Sequence, residues 1–233
     1  MKDKETIRDY FASIARRYDL MNHVLSFGQD WLWRRKVAQQ APLVHDQRVL
    51  DVCTGTCDLI LAFDKRYHTG LYMGVDLTED MLALGKTKAE RQGLQTRLEL
   101  RCGDAEALPC ESDSFDVATM GFGLRNLPRP VAGLQEMQRV LKPGGKVLIL
   151  EFAPAPRGIF GAVYKLYLTR IIPILGGLVS GSRQAYQHLA TSVQEFFVPD
   201  QLLGHLREQG FEQVRAIPLS GKIAYIYVGI KKK

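Results

Sequence analysis

The 233-residue chain predicts an α/β fold: a seven-stranded, mostly parallel sheet with helices on both faces, an N-terminal helical lid and a terminal antiparallel hairpin. Three observations carry this. From Gln47 onward, short apolar runs alternate with stretches of helical periodicity. Three successive runs end in acids or small residues. They are Val49-Leu50-Asp51-Val52 before the turn Cys53-Thr54-Gly55-Thr56-Cys57-Asp58, then Leu71-Tyr72-Met73-Gly74-Val75-Asp76, then Leu98-Glu99-Leu100-Arg101-Cys102-Gly103-Asp104. Finally, the apolar runs Phe211 to Ile217 and Lys222 to Ile230 are joined by Pro218-Leu219-Ser220-Gly221, a hairpin connection.

Taken in order, the first forty residues read as helices: Thr6 to Arg17, a segment around Leu20 to Leu25, and Trp31 to Gln40 after Gly28. Strands are expected near 48–52, 71–76, 97–102, 115–120 and 145–151, with helices near 58–66, 78–92 and 130–141. Lys142-Pro143-Gly144-Gly145 is a tight stop before the fifth strand. Right-handed crossovers then make the sheet parallel, with helices on both faces. A helical segment at 157–194 and a helix at 200–209 precede the hairpin. One domain accommodates this length with a full core. Its parts are a lid (1–46), a ligand-binding core (47–152), a helical insertion (153–199) and a C-terminal helix and hairpin (200–233).

Composition is globular, 46% hydrophobic and 24% charged, without low-complexity tracts. The net charge of +6 fits nucleic acid or an anionic surface, but the basic residues are scattered among acids and no nucleic-acid motif is present. No nucleic-acid partner is expected. Cys53, Cys57, Cys102 and Cys110 lack accompanying His ligands, so reduced thiols are expected and no metal. The charged start Met1-Lys2-Asp3-Lys4-Glu5 is not a signal peptide, and a cytoplasmic enzyme is expected. No run approaches the ~20 apolar residues of a membrane span. Ile171 to Val179 is the longest candidate, and Pro173, Gly176 and Gly177 interrupt it.

In an open α/β sheet, ligands bind at the carboxyl ends of the strands, and an acid after the second strand is the usual partner of a ribose hydroxyl. Asp51, Asp76 and Asp104 therefore outline a pocket for a nucleoside. Dinucleotide folds use G-x-G-x-x-G so that bare backbone reaches a pyrophosphate. Here the turn has one glycine, an acid (Asp58) at the helix start, and no P-loop lysine. S-adenosylmethionine (SAM), which has no phosphate and carries a sulfonium, suits the site better than a nicotinamide cofactor. Acids serving as ordinary helix caps are the plain alternative, more natural for one acid than for three in register. A terminal antiparallel hairpin on a parallel sheet is, by fold analogy, typical of Rossmann-like class I SAM methyltransferases.

The chain resembles the ubiquinone/menaquinone biosynthesis C-methyltransferase family over essentially its full length. The resemblance rests on Ile14-Ala15-Arg16-Arg17-Tyr18-Asp19-Leu20-Met21-Asn22 with Leu25-Ser26-Phe27-Gly28, and on Gly103-Asp104-Ala105-Glu106-Ala107-Leu108-Pro109. It also rests on Phe122-Gly123-Leu124-Arg125-Asn126 and Arg139-Val140-Leu141-Lys142-Pro143-Gly144-Gly145. The Arg-Tyr-Asp-x-Met-Asn and Phe-Gly-x-Arg-Asn stretches are the specific ones. The resemblance implies C-methylation of the ring of a prenylated quinol with SAM, the quinol being a naphthoquinol or a benzoquinol. It also implies cofactor contacts at Thr56, Asp76, Asp104 and Ala105, with Gly55 allowing close approach at the methionine end. A turn-forming role after Gly103 is the plain alternative for Asp104. Two departures stand out: the family usually has glycine where this chain has Cys57, and serine where it has Gly121. If Cys57 opens the helix it needs no positive φ. Gly121 leaves only backbone as a cofactor contact.

For catalysis, a quinol carbon becomes nucleophilic when the neighbouring hydroxyl, with a pKa of ~10, loses its proton. Arg125, always charged, is expected to stabilise that phenolate while Asn126 orients the ring oxygen. A structural pairing of Arg125 with an N-terminal acid such as Asp19 is the alternative. Tyr18 and Asn22 are expected on the lid as substrate contacts, although an aromatic at a packing position is commonly core. His23, His45, His68, His188 and His205 form no usable cluster. Arg157, Lys165 and Arg170 lie among the aromatic and aliphatic residues of 156–179, a pattern suited to an interfacial element that meets a membrane-borne quinol or to a buried helical insertion. The competing functions are methylation of another aromatic or lipid substrate and non-catalytic SAM binding.

Overall fold

The structure is a computed structural model and describes residues 3–42, 45–68, 70–180 and 182–233. Met1 and Lys2 of the charged start lie outside them. A seven-stranded sheet runs β3(Leu98–Cys102), β2(Leu71–Asp76), β1(Arg48–Val52), β4(Phe115–Gly121), β5(Leu141–Phe152), β7(Ala224–Lys231) and β6(Phe211–Leu219) across its width. The first five are parallel and β7 pairs antiparallel with both β5 and β6. Chain order reverses between β1 and β4, the place where an open sheet gathers ligands.

The central strands β1, β4 and β5 are buried on both faces. Each face has its own apolar core. Leu50, Val52, Met120, Ile149 and Tyr227 pack beneath α5(Pro130–Val140) and α9(Pro199–Glu208). Val49, Val117, Leu148 and Val228 pack beneath α2(Gln29–Ala38) and α3(Asp58–Tyr67). Between β2 and β3 runs α4(Glu79–Arg91). Lys142 to Gly145 loop out opposite Asp116, so Phe115 pairs with Leu141 and Val117 with Lys146. The expected stop is a bulge within the ladder.

Four sequence expectations are corrected. The first helix is continuous, α1(Lys4–Leu25), where two segments were expected. No glycine or proline separates Arg17 from Leu20, and Asp3 caps the start by accepting from the Thr6 N–H at 3.1 Å. It ends where Phe27 and Gly28 turn left-handed, at φ 53° and 73°. Second, α6(Ile159–Leu166), a π-helical turn (Tyr167–Ile171) and α7(Ile172–Ser180) run end to end. Ile159–Leu178 is therefore 20 residues long with a mean hydropathy of 1.3, enough by length and composition to cross a membrane. Pro173 comes directly after the π-helical turn, the irregular point of this helix, and the helix continues through it. Gly176 lets the helix close onto the ring of Tyr186, which a Cβ would meet at 2.2 Å. Third, β6 continues to Leu219 and β7 begins at Ala224; the connection is Ser220 to Ile223, turned by Gly221 at φ 70°. Fourth, Cys57 precedes α3 at φ 66°. It does adopt the left-handed conformation that favours glycine.

The two helical regions flanking the sheet in sequence form one cap. Ile14 and Met21 of α1 cluster with Leu168, Ile172, and Ala185, Tyr186, Ala190 and Val193 of α8(Arg183–Gln194). That third core sits above the strand ends.

Candidate active site

Two cavities meet under this cap. The first is a cleft at the strand ends, lined by Cys53, Gly55, Asp76, Asp104, Ala105 and Gly121, and roofed by Lys4, Ile7, Phe11 and Tyr18 of α1. The turn after β1 is left-handed at Cys53, Gly55 and Cys57, which folds its backbone N–H groups toward β2. Gly55 N donates to Asp76 Oδ2 at 2.8 Å and Thr78 N to Oδ1 at 2.9 Å. Burial raises the Asp76 carboxyl above its usual value, and these N–H donors oppose the shift. A Cβ at Gly55 would meet nothing within 4 Å, so open space lies over the turn. Held in one orientation with lone pairs to spare, the Asp76 carboxylate is a ready acceptor for vicinal hydroxyls.

Asp104 does two things at once. Its Oδ1 accepts from the Glu106 N–H at 2.9 Å, the local turn bond, while Oδ2 receives Lys4 Nζ at 2.5 Å. Burial alone would raise its pKa; the Lys4 ammonium and the Glu106 N–H outweigh this and hold it low. Lys4 also reaches Glu106, fully buried, at 2.9 Å, so the start of the lid is tied to the cleft by charge.

Three side chains next to this pocket are turned away from it. Thr56 is buried and does not line the cleft: its hydroxyl donates to Asp19 at 2.6 Å and accepts from Lys88. The left-handed residues on either side of it turn the side chain toward α1. Asp51 sits beneath the cleft, held by Thr54 at 2.8 Å and Thr119 at 2.6 Å, and burial pushes its pKa up to about 7. Asp58 faces a separate polar cleft, paired with Lys88 and Arg34. Its charge is answered there and does not bear on what the first cleft accepts.

The second cavity is larger, about 500 Å³, and mostly apolar. Phe11, Tyr18, Phe122 and Asn126 line both cavities and form the junction. Arg125 and Asn126 lie in a short 3₁₀ turn after β4 and enter the second cavity together with Asn22. Arg125 is buried; its Nη1 donates to Glu151 at 2.8 Å and to the Phe122 carbonyl at 2.6 Å, and its guanidinium lies over Phe152. The partner is thus Glu151 on β5, not Asp19, which α1 directs to Thr56 and Lys88. Glu151 escaped sequence reasoning although an acid within the otherwise apolar run Val147-Leu148-Ile149-Leu150-Glu151-Phe152 was a visible signal. Asn22 Nδ2 is buried at the cavity wall beside the Tyr18 hydroxyl. Burial raises the Tyr18 hydroxyl, keeping it protonated. Asn126 Oδ1 is 3.1 Å from His188 Nε2, a residue that sequence spacing had left without a role.

Compared with known proteins, residues 1–231 match the model of the ubiE/COQ5 methyltransferase family. The chain belongs to the ubiE/COQ5 methyltransferase family. It is 44% identical over 220 residues to the demethylmenaquinone methyltransferase of Thermus thermophilus, covering 94% of this chain and 98% of that one. The ubiquinone/menaquinone biosynthesis C-methyltransferase UbiE of Bdellovibrio bacteriovorus is 40% identical, over 98% and 97% of the two chains. Among solved structures, a SAM-dependent methyltransferase from Aquifex aeolicus superposes with a TM-score of 0.61 at 20% identity, over 84% and 88% of the chains. The [4+2]-cyclase SpnF does so at 0.66, 20% identical over 85% and 79%. These two support the class I methyltransferase fold; that one is a cyclase illustrates why activity is argued from the site. This ubiE/COQ5 methyltransferase is SAM-dependent. Gly55, Asp76 and the Asp104-Ala105 corner are the residues that would hold SAM.

Proposed function

We propose that the enzyme methylates a ring carbon of a prenylated quinol in menaquinone or ubiquinone biosynthesis, and that it takes this substrate from the cytoplasmic face of a membrane. One observation carries the reading. The apolar cavity opens from the SAM cleft at Asn126 and ends at a rim of Phe27, Phe160 and Val163, which are 78%, 54% and 61% exposed. An apolar tail leaving that rim continues along exposed Ile159, Leu166 and Leu178 of the 20-residue helix rather than into water. Arg157, Lys165 and Arg170 are exposed on the same segment, placed for anionic headgroups.

In the cavity, Arg125 stabilises the developing phenolate. Its guanidinium is fixed by Glu151 and Phe122, so little reorganisation is needed as charge appears. Asn126 and the Nδ2 of Asn22 orient the ring oxygens. Tyr18, spanning both cavities, keeps the ring against the donor methyl.

The test follows labelled methyl transfer from SAM to short- and long-tailed naphthoquinols and benzoquinols. Incorporation into either ring class supports the reading; none, with SAM bound, indicates another aromatic or lipid substrate or a non-catalytic SAM-binding subunit. Sedimentation with anionic vesicles, weakening as salt rises, tests the membrane part. Replacing Arg157, Lys165 and Arg170 together by Gln should reduce it and leave SAM affinity unchanged.

A further inference from the structure

We infer that Lys4 is the latch that controls entry and release of the cofactor, a positioning role that rests on the strand-end cleft being the SAM site. With α1 in place the cleft offers about 80 Å³ of free volume, whereas sites for small molecules and cofactors run to ~300–1,000 Å³. Part of its boundary must therefore move before SAM can pass. The floor is fixed, because it consists of strand ends and turns continuous with the cores on the two faces of the sheet. The outer roof is not. Lys4, Ile7, Arg8 and Phe11 form it, and no side chain from Asp3 to Ser13 is buried.

The second half of α1 is anchored and the first half is not. Ile14 and Met21 enter the third core, and Asp19 holds Thr56 at 2.6 Å and Lys88 at 2.7 Å. About three turns precede Ile14, too few to be stable as a helix in water by themselves. A groove of about 230 Å³ separates Asp3, Thr6 and Tyr10 from Thr191, Ser192 and Glu195 of α8. The outer turns have room to shift and little apolar contact to lose. Their other side-chain hydrogen bonds among the described residues stay within α1: Thr6 to Asp3, Arg8 to Asp9, and Ser13 to the Tyr10 carbonyl.

Lys4 supplies the charged tie from these turns across the cleft. Its ammonium reaches Asp104 Oδ2 at 2.5 Å and Glu106 Oε2 at 2.9 Å. Glu106 is a fixed post: its side chain is fully buried, and its carboxylate also accepts from the Arg129 N–H at 2.6 Å and from Arg129 Nε at 3.1 Å. Hydrogen bonds to the two acids raise the Lys4 ammonium above its ordinary value, so it is charged at neutral pH. Asp104 lines the cleft itself, so the latch closes on the site and not beside it. Opening exchanges both ion pairs for water and lets the outer turns of α1 lift. Closing over SAM restores them. The latch therefore slows association and dissociation together and changes affinity less than either rate.

The experiment follows SAM binding to the full chain by stopped flow, at low and at high salt. K4Q should raise both rate constants by about three- to tenfold at low salt and leave Kd within about threefold. K4R keeps the charge and should stay near wild type. Dissociation from wild type should quicken as salt screens the ion pairs, and dissociation from K4Q should respond little. Hydrogen exchange locates the motion: without SAM, amides of Arg8 to Ser13 should exchange faster than those of Ala15 to Leu25, and faster again in K4Q. Rate constants in K4Q equal to those of wild type overturn the inference. So does protection of Arg8 to Ser13 equal to that of the rest of α1. Asp76→Ala in the same assay separates the two readings. If it binds SAM as wild type does, the cleft assignment fails and the latch with it; if it binds weakly while K4Q is unchanged, the latch alone is removed.

Discussion

The two cavities that meet at Phe122 and Asn126 are built in opposite ways. The strand-end cleft comes mainly from strand ends and turns between Cys53 and Gly123, and its main acceptor is held by backbone: Gly55 N and Thr78 N on Asp76. The apolar cavity draws its wall from α1, α2, the 3₁₀ turn, β5 and the helices from 159 to 189, and its central cation is held by a side chain, Glu151 on Arg125. A pocket fixed by backbone tolerates changes in its side chains. A pocket assembled from distant helices depends on the ion pair and packing that join them.

The largest effect expected from this contrast is at Glu151. Replacing it by Ala leaves the Arg125 guanidinium buried without its carboxylate, a change that typically costs about 3–5 kcal/mol. Denaturant unfolding should show that loss; a variant within about 1 kcal/mol of wild type would mean that the cavity does not depend on the pair.

Under the SAM cleft, Asp51 makes a pH-dependent contribution of up to a few kcal/mol. Its folded-state pKa of about 7 lies above the ordinary 3.8. The folded protein therefore binds this proton more tightly than the unfolded chain does. The stability it lends is complete below pH ~4 and is lost as pH rises through ~7. Asp51→Asn cannot ionise, so its stability relative to wild type should improve from pH 5 to pH 8. A flat difference across that range would place the ionised carboxylate in the fold.

Asp76→Ala should cut SAM affinity by about ten- to a hundred-fold, because charged hydrogen bonds are worth ~1.5–3 kcal/mol. Calorimetry showing unchanged binding would remove Asp76 from the site. The smallest effect is expected at Gly121. A Cβ there meets only Leu59 Cδ2 at 3.6 Å, ordinary contact, so the serine usual in the family fits. Gly121→Ser should add one hydroxyl hydrogen bond, about 1 kcal/mol or roughly fivefold in SAM affinity. Weaker binding would indicate that the backbone alone governs this edge of the cleft.

The strand ends and the acids Asp76 and Asp104 that follow them were legible because they depend on local pattern, whereas the reversal of strand order was not. A period-two apolar run, a turn and an acid at its end identify a position on a sheet without knowledge of anything far away. The same local logic could not tell that the side chains of Asp51 and Thr56 turn away from the cleft. Strand alternation and left-handed turn residues decide which way a side chain leaves the backbone, and Cys57 at φ 66° was not read as left-handed.

By itself the sequence determined the α/β class, the mostly parallel sheet, the terminal hairpin, the acids at the strand ends and, through its motifs, the resemblance to a methyltransferase family. Tertiary structure alone decided that Arg125 pairs with Glu151, that Lys4 closes onto Asp104, and that His188 reaches Asn126. It also decided that α1 and the helices of 159–194 enclose one apolar cavity. The physical reason is distance along the chain. Lys4 and Asp104 are 100 residues apart and Asn126 and His188 are 62, and such pairs form only where burying apolar helix faces against one another brings them together.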